Sequence, residues 1–295
     1  MNQYEEQIRN LYLGILNNYP EFAGEDDAHL IYDLASPEWE ELRSAYNLEN
    51  IAGNGTAFER AERLLHYFAP RLKHESFYDN HVECSAMKLL TYSFENDEHG
   101  INCLNKAKIL AECCLALGIF ARRVFIHPFS PFDFDSHVVC EIFDEQRGKW
   151  IMLDPTTDGY FVNEDNVPLS MYEIRTNYLN SEILTLVSAD DKDADLRKAA
   201  EKNESINLYF LKNCFRISFE TYNGFGLPCS GALPGVQERR AEPQIQSRKY
   251  AGRIQVSSRR AGKIPRKDKS HGGTDRVQCQ VCIRRAGTEV LTIRL

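Results

Sequence analysis

The sequence predicts an α+β fold in which a helical first part packs on an antiparallel sheet. Three observations carry that prediction. Apolar residues recur at helical spacing through residues 1–98 and again from Cys103 to Leu117. After Gly118 the period changes to that of strands, in short runs rich in branched and aromatic residues. Helices followed by consecutive strands, rather than alternating with them, favour antiparallel pairing.

In chain order, Glu5 to Asn17 carries Ile8, Leu11, Tyr12, Ile15 and Leu16 as a helical stripe. Ser36-Pro37-Glu38 reads as a helix start, with Ser36 as N-cap and Pro37 in the first turn. Thr56 caps a helix whose Phe58, Ala61, Leu64, Leu65 and Phe68 share one face until Pro70. Ser85 to Thr91 is a further short helix. Cys103 to Leu117 is a broad apolar helix with Gly118 as its C-cap. Strands follow at 123–126, 137–143 and 150–153, the last two joined by a hairpin loop at Gln146-Arg147-Gly148-Lys149. Ile183 to Val187, Ile206 to Leu211 and Phe215 to Phe219 are expected to add strands. No internal repeat is present.

Composition divides the 295 residues near position 226. Residues 227–295 hold 15 Lys and Arg against 5 Asp and Glu, about +10, and a single aromatic, Tyr250. The remainder holds 20 basic and 38 acidic residues, about −18, with the other 31 aromatics. The expected organisation is a domain over 1–226, helical over 1–98, with a catalytic core over 99–190 and further strands over 191–226. The basic segment 227–295 is expected to be a disordered tail or the product of a shifted reading frame. The joint loss of aromatics and acidic residues favours the shifted frame, since a chain not selected to fold need not carry core residues. As a natural tail it is a candidate to bind anionic partners. The acidic body argues against nucleic acid as a partner of 1–226.

Lys108, Glu112, Arg122 and Arg123 interrupt the most apolar stretch, Ala107 to Ile126, so no run of about 18 uncharged residues exists to span a membrane. The start, Met1-Asn2-Gln3-Tyr4-Glu5-Glu6, lacks the pattern of a signal peptide. The expectation is a cytoplasmic chain with its nine cysteines reduced.

Three segments carry chemistry together. Gly100-Ile101-Asn102-Cys103 opens the helix that ends at Gly118, and a thiol at a helix N-terminus is favoured as thiolate, the nucleophilic form. His137 begins a strand, and Asp154 closes the next one in Trp150-Ile151-Met152-Leu153-Asp154-Pro155-Thr156. A hairpin between those strands sets His137 beside Asp154. With the helix packed there, Cys103 meets His137, giving nucleophile, base and orienter.

Gly100 to Thr157 resembles the transglutaminase-like superfamily, which shares a papain-like fold. The resemblance rests on the cysteine opening a helix, the turn Leu117-Gly118-Ile119-Phe120-Ala121-Arg122, the strand-starting histidine and the Trp-x-x-Leu-Asp-Pro-Thr ending. Residues 160–187, with Pro168-Leu169-Ser170 and Glu173, resemble the continuation in bacterial relatives. The resemblance implies Cys103 as nucleophile, His137 as general base and acid, and Asp154 as orienter, with no cofactor and a protein or peptide substrate. Animal cross-linking members carry tryptophans where this chain has Leu104 and Val139, which favours hydrolysis of an amide or isopeptide over amine transfer. The alternatives are a protein-glutamine acyltransferase and a binding module that keeps the fold without catalysis. His99-Gly100-Ile101-Asn102 does not match the arginine and glycines of the related arylamine acetyltransferases, and no calcium loop is visible.

The backbone N–H of Cys103 is a natural oxyanion donor, and Tyr92 and Asn102 are candidates for a second one. His99 is a rival base. Cys279-x-x-Cys282 with His271 is a weak zinc signal, since one Cys pair does not make a site. No metal site is expected.

Overall fold

The computed structural model describes residues 3–20, 29–189, 196–226, 255–257, 280–284 and 290–294. The elements begin with α1 (Gln3–Asn18), β1 (His29–Asp33), α2 (Glu38–Ala45), α3 (Leu48–Ala52), α4 (Ala57–Phe68) and α5 (Ala86–Glu95). Next come α6 (Cys103–Ala116), β2 (Ala121–His127), β3 (His137–Asp144), β4 (Lys149–Leu153) and β5 (Gly159–Val162). Then follow α7 (Met171–Leu179), β6 (Thr185–Ser188), α8 (Leu196–Asn213), β7 (Arg216–Phe219) and β8 (Tyr222–Asn223). The last three are β9 (Gln255–Ser257), β10 (Gln280–Arg284) and β11 (Val290–Arg294).

An antiparallel sheet of order β4-β3-β2-β7 carries the site. All eight residues of β3 are buried, because both faces of the sheet are covered. Cys140, Ile142, Ile151 and Leu153 face a core built with Leu42, Leu64, Leu89 and Leu110 from α2, α4, α5 and α6. Val124, Ile126, Val139 and Met152 face a second core with Leu16, Ile174 and Phe210 from α1, α7 and α8.

The central helix α6 is buried on every side from Asn105 to Ala116, as a helix enclosed by other elements must be. Its N-terminus is capped by Asn102, whose side-chain oxygen accepts from the Asn105 N–H at 3.2 Å. Its C-terminus closes through Gly118 at φ +75°, with the Gly118 N–H bonded to Leu115 O and the Ile119 N–H to Cys114 O. This paired closure needs the left-handed conformation that glycine adopts freely. The charges that break the apolar run in sequence are paired in the core. Lys108 meets Glu112 at 2.8 Å, Arg122 holds Glu141 through two N–H groups at 3.0 and 2.7 Å, and Arg123 pairs with Glu220.

Several expectations are corrected. Ile206 to Leu211 lies in helix α8, not a strand, so residues 191–226 are not all strands. The buried positions Asn207, Phe210, Leu211 and Cys214 have helical spacing, which the branched and aromatic composition obscured. The helical region 1–98 also contains strand β1. In α1 the buried residues are Leu13 and Leu16, while Leu11 is 59% exposed, so the stripe is rotated from the expected one. Pro37, not Ser36, holds the cap position of α2, and the Ser36 hydroxyl bonds the Glu38 carboxylate instead. Cys84 is disulfide-bonded, against the expectation of nine reduced cysteines. Beyond Gly226 three short strands are described, and β10 pairs in parallel with β1. The runs Val281-Cys282-Ile283 and Val290-Leu291-Thr292-Ile293 are the strongest β-formers of that segment. The rest of the basic segment, with His271 and Cys279, lies outside the described residues.

Candidate functional site

The path to Cys103 is fixed by backbone pairing. Ile101 bridges to His74 in parallel, with the Ile101 N–H bonded to Lys73 O and the Glu75 N–H to Ile101 O, both at 3.0 Å. Gly100 permits this approach: a Cβ there would stand 2.6 Å from the Cβ of Glu75. Asn102 then caps α6, and Cys103 is its first residue, half-buried with a free thiol. The helix dipole points its positive end at that sulfur.

His137 is the first residue of β3. The β3–β4 register, with Cys140 opposite Leu153, runs on to place position 154 across from Val139. Position 137 is two residues away on the same face, so the His137 and Asp154 side chains meet. The His137 Nε2–H donates to Asp154 Oδ2 at 3.0 Å, and the residues are 3% and 0% exposed. Cys103 also acts on the imidazole and favours its protonated form. With Nε2 taken by the carboxylate, Nδ1 is the nitrogen left for the thiol.

Asp154 is itself held. Its Oδ1 accepts from the Thr156 N–H and its Oδ2 from the Thr157 hydroxyl, both at 2.9 Å, and its backbone bridges to Gly159. Burial alone would raise its pKa, but the His137 charge and these hydrogen bonds outweigh burial and lower it. Burial likewise pushes the imidazole down. The Asp154 carboxylate, its hydrogen bond and the influence of Cys103 together raise it to about 10.

Helix α8 supplies parts that the sequence reading missed. The Tyr209 and Phe210 rings pack edge-on against the His137 ring, at 5.4 and 5.7 Å between centroids. The Tyr209 hydroxyl donates to Asp135 Oδ1 at 3.1 Å, and Lys212 Nζ donates to Asp135 Oδ2 at 2.6 Å and Asp133 Oδ2 at 3.3 Å. The segment leading into His137 is therefore pinned to α8. Tyr209, Phe210 and Lys212, following Leu208, were the available signal, but a strand reading hid their helical spacing.

The other candidates have these places. Asn102 spends its side-chain oxygen on the cap, and its Nδ2 donates to Asn80 Oδ1 at 3.2 Å and to Tyr78 O at 3.5 Å. Tyr92, on α5, stacks on His99 with centroids 4.1 Å apart and 4° between planes. His99 Nδ1 donates to the Tyr92 carbonyl at 2.7 Å, which occupies one nitrogen of the rival base. Among the described residues no group of three or more His, Cys, Asp or Glu is placed to hold a metal ion, and no helix is long and apolar enough to cross a membrane.

A thiol opening a buried helix and an imidazole held by a carboxylate are the kinds of groups that cysteine-dependent enzymes use as nucleophile, base and orienter. Residues 45–155, which contain all three groups, match the family model of the transglutaminase-like superfamily. A solved structure named "putative cysteine protease", from Cytophaga hutchinsonii, is similar at 22% identity over 40% of this chain and 37% of that one, with a TM-score of 0.31. This chain thus spans little more than a third of that protein. No curated protein gives a significant match.

Proposed function

We propose that the protein is a cysteine hydrolase of amide or isopeptide bonds in protein or peptide substrates. The observation that carries this reading is the buried His137, bonded through Nε2 to Asp154, with Cys103 among the groups that favour its charged form. In the first half-reaction the Cys103 thiolate attacks the carbonyl carbon. The C–N bond breaks, the leaving amine takes the His137 proton, and a thioester remains. In the second, His137 takes a proton from water, the hydroxide displaces the thiolate and the acid leaves. Asp154 keeps the ring in the tautomer that presents Nδ1 to sulfur and balances the imidazolium charge. The Cys103 N–H at the start of α6 serves as one oxyanion donor, with Tyr92 or Asn102 as candidate for the second.

Acyl transfer to an amine is the second reading, and Leu104 and Val139, in place of acceptor-channel tryptophans, weigh against it. The test is mass spectrometry of peptide and isopeptide libraries incubated with the full chain, with and without a primary amine. Free acid products that depend on Cys103 are expected. Amine adducts as the main product would favour the transferase, and turnover retained in Cys103→Ala would overturn both readings.

A further inference from the structure

The turn that carries Asp154 is gripped from outside by helix α4. Its ends are paired through the backbone, with the Asp154 N–H bonded to Gly159 O at 2.8 Å and the Gly159 N–H to Asp154 O at 3.2 Å. Inside it, the Thr157 hydroxyl donates to Asp154 Oδ2, the same oxygen that accepts from His137 Nε2. The next residue, Asp158, is buried at φ +53°, in the left-handed region where a side chain carries strain. Its Oδ1 accepts from His66 Nδ1–H of α4 at 2.8 Å. One turn earlier on the same face of α4, Glu62 Oε1 accepts from the Tyr160 hydroxyl at 2.7 Å.

We propose that His66 is a positioning residue for the Asp154–His137 pair and acts through Asp158. Each link of the path is a bond or a direct contact. His66 holds the Asp158 carboxylate, Asp158 is joined by one peptide bond to Thr157 and by another to Gly159, and both of these hold Asp154. The inference rests on the reading of Asp154 as orienter of the base.

The surroundings fit this assignment. Helix α4 buries Phe58, Ala61, Leu64, Leu65 and Phe68 in the main core, so the backbone under His66 is fixed. On another side the turn presses on β6, since a Cβ at Gly159 would stand 2.8 Å from Val187 O. The turn is thus braced by a helix and a strand. Without the imidazole, a buried carboxylate loses this donor and a strained φ loses its restraint. Relaxation of Asp158 would draw the neighbouring Thr157 hydroxyl from Asp154 Oδ2. The carboxylate facing His137 would then keep only the Thr156 N–H, on its other oxygen, to fix its direction.

The test is the pH profile of Cys103 alkylation by iodoacetamide in the full chain, read by peptide mass spectrometry, for wild type, H66A, H66N, D158G and the double variant H66A/D158G, with folding followed by circular dichroism. The profile reads how well a carboxylate-held imidazolium supports the thiolate, which a loss of stability in a still-folded chain does not move. H66A should shift the half-rise to higher pH by about one unit. Below both half-rises, that is a rate loss of about tenfold. D158G relieves the left-handed φ yet removes the acceptor, so it should shift the profile as far. The double variant should shift it no further than either single one, because all three break the same bond. H66N keeps an N–H donor near the place of Nδ1 and should return the profile toward wild type. A folded H66A or D158G with the wild-type profile overturns the proposal, as do additive shifts in the double variant. So does failure of both single variants to fold, which would make the pair structural. A separate result tests the underlying reading: if His137→Ala leaves the wild-type profile unchanged, the base assignment fails whatever His66 does.

Discussion

His137 Nε2 stands 3.0 Å from Asp154 Oδ2 with both residues almost wholly buried. The two residues are 17 apart in sequence and come together only because β3 and β4 form a hairpin in one register. The carboxylate cannot rotate away, since Thr156 and Thr157 hold its two oxygens. The imidazole therefore has a fixed tautomer and a fixed direction toward Cys103.

Substitutions should separate the three roles. Cys103→Ala should reduce turnover to background, and His137→Ala should lower kcat by about ten-thousandfold, the upper range for a general base. Asp154→Asn keeps an oxygen for the Thr156 N–H and so turns its NH2 toward Nε2. That forces the ring proton onto Nδ1, with an expected loss of about 100- to 10,000-fold in kcat. Steady-state kinetics of the three variants checks the order.

Stability should depend on pH through the same pair. The folded-state value of His137 is raised to about 10 from an unfolded value near 6.5. Its contribution is therefore complete below about pH 6.5 and is lost as pH rises through about 10. Asp154 is lowered, so its contribution is present above the ordinary carboxylate value and is lost as pH falls through its depressed one. Thermal unfolding from pH 6 to 10 should show a steeper fall in Tm for wild type than for His137→Gln. Equal slopes would contradict the pairing.

Thiol reactivity should be selective. Burial pushes the Cys114 and Cys214 thiols up to about 12 and raises Cys113 and Cys140 well above the usual value. Brief iodoacetamide treatment of the native chain at pH 7 should modify Cys103 and leave these four unmodified. Peptide mapping reads the result, and comparable labelling of any buried one would contradict the burial.

Lys212 should matter more to turnover than to folding. It ties Asp133 and Asp135, just before His137, to α8. Partly exposed ion pairs contribute about 1 kcal/mol or less, so Lys212→Ala should barely change Tm. A loosened approach to His137 should lower kcat by about tenfold, as small displacements of reacting groups do. Hydrogen exchange over residues 128–136 should rise in parallel.

A chain ending at Gly226 should keep the candidate site, because among the described residues no strand beyond that residue joins the sheet β4-β3-β2-β7. The last anchor it retains is the Gly226 N–H on Glu112 Oε1 at 2.9 Å. Circular dichroism and Cys103 alkylation rates compare it with the full chain. Loss of either would mean that the segment beyond Gly226, through β10 beside β1 or through the disulfide of Cys84, is needed for the fold.

Local rules made much of this protein legible in its sequence. Thr56 and Glu59 form the capping box that opens α4, the apolar positions Phe58 to Phe68 are buried, and Gly118 ends α6, because capping and periodicity act within a few residues. The same short-range logic marked Cys103 at a helix start, His137 at the head of one strand and Asp154 at the end of the next. Tertiary structure decided the rest. Ile206 to Leu211 has strand composition but is helical, because burial at 207, 210, 211 and 214 rewards one helix face and overrides a propensity difference of less than about 1 kcal/mol per residue. Propensity and capping are properties of neighbouring residues, whereas burial and electrostatic partnership are set by residues far apart in the chain, and these exist only once the sheet and helices have closed around them.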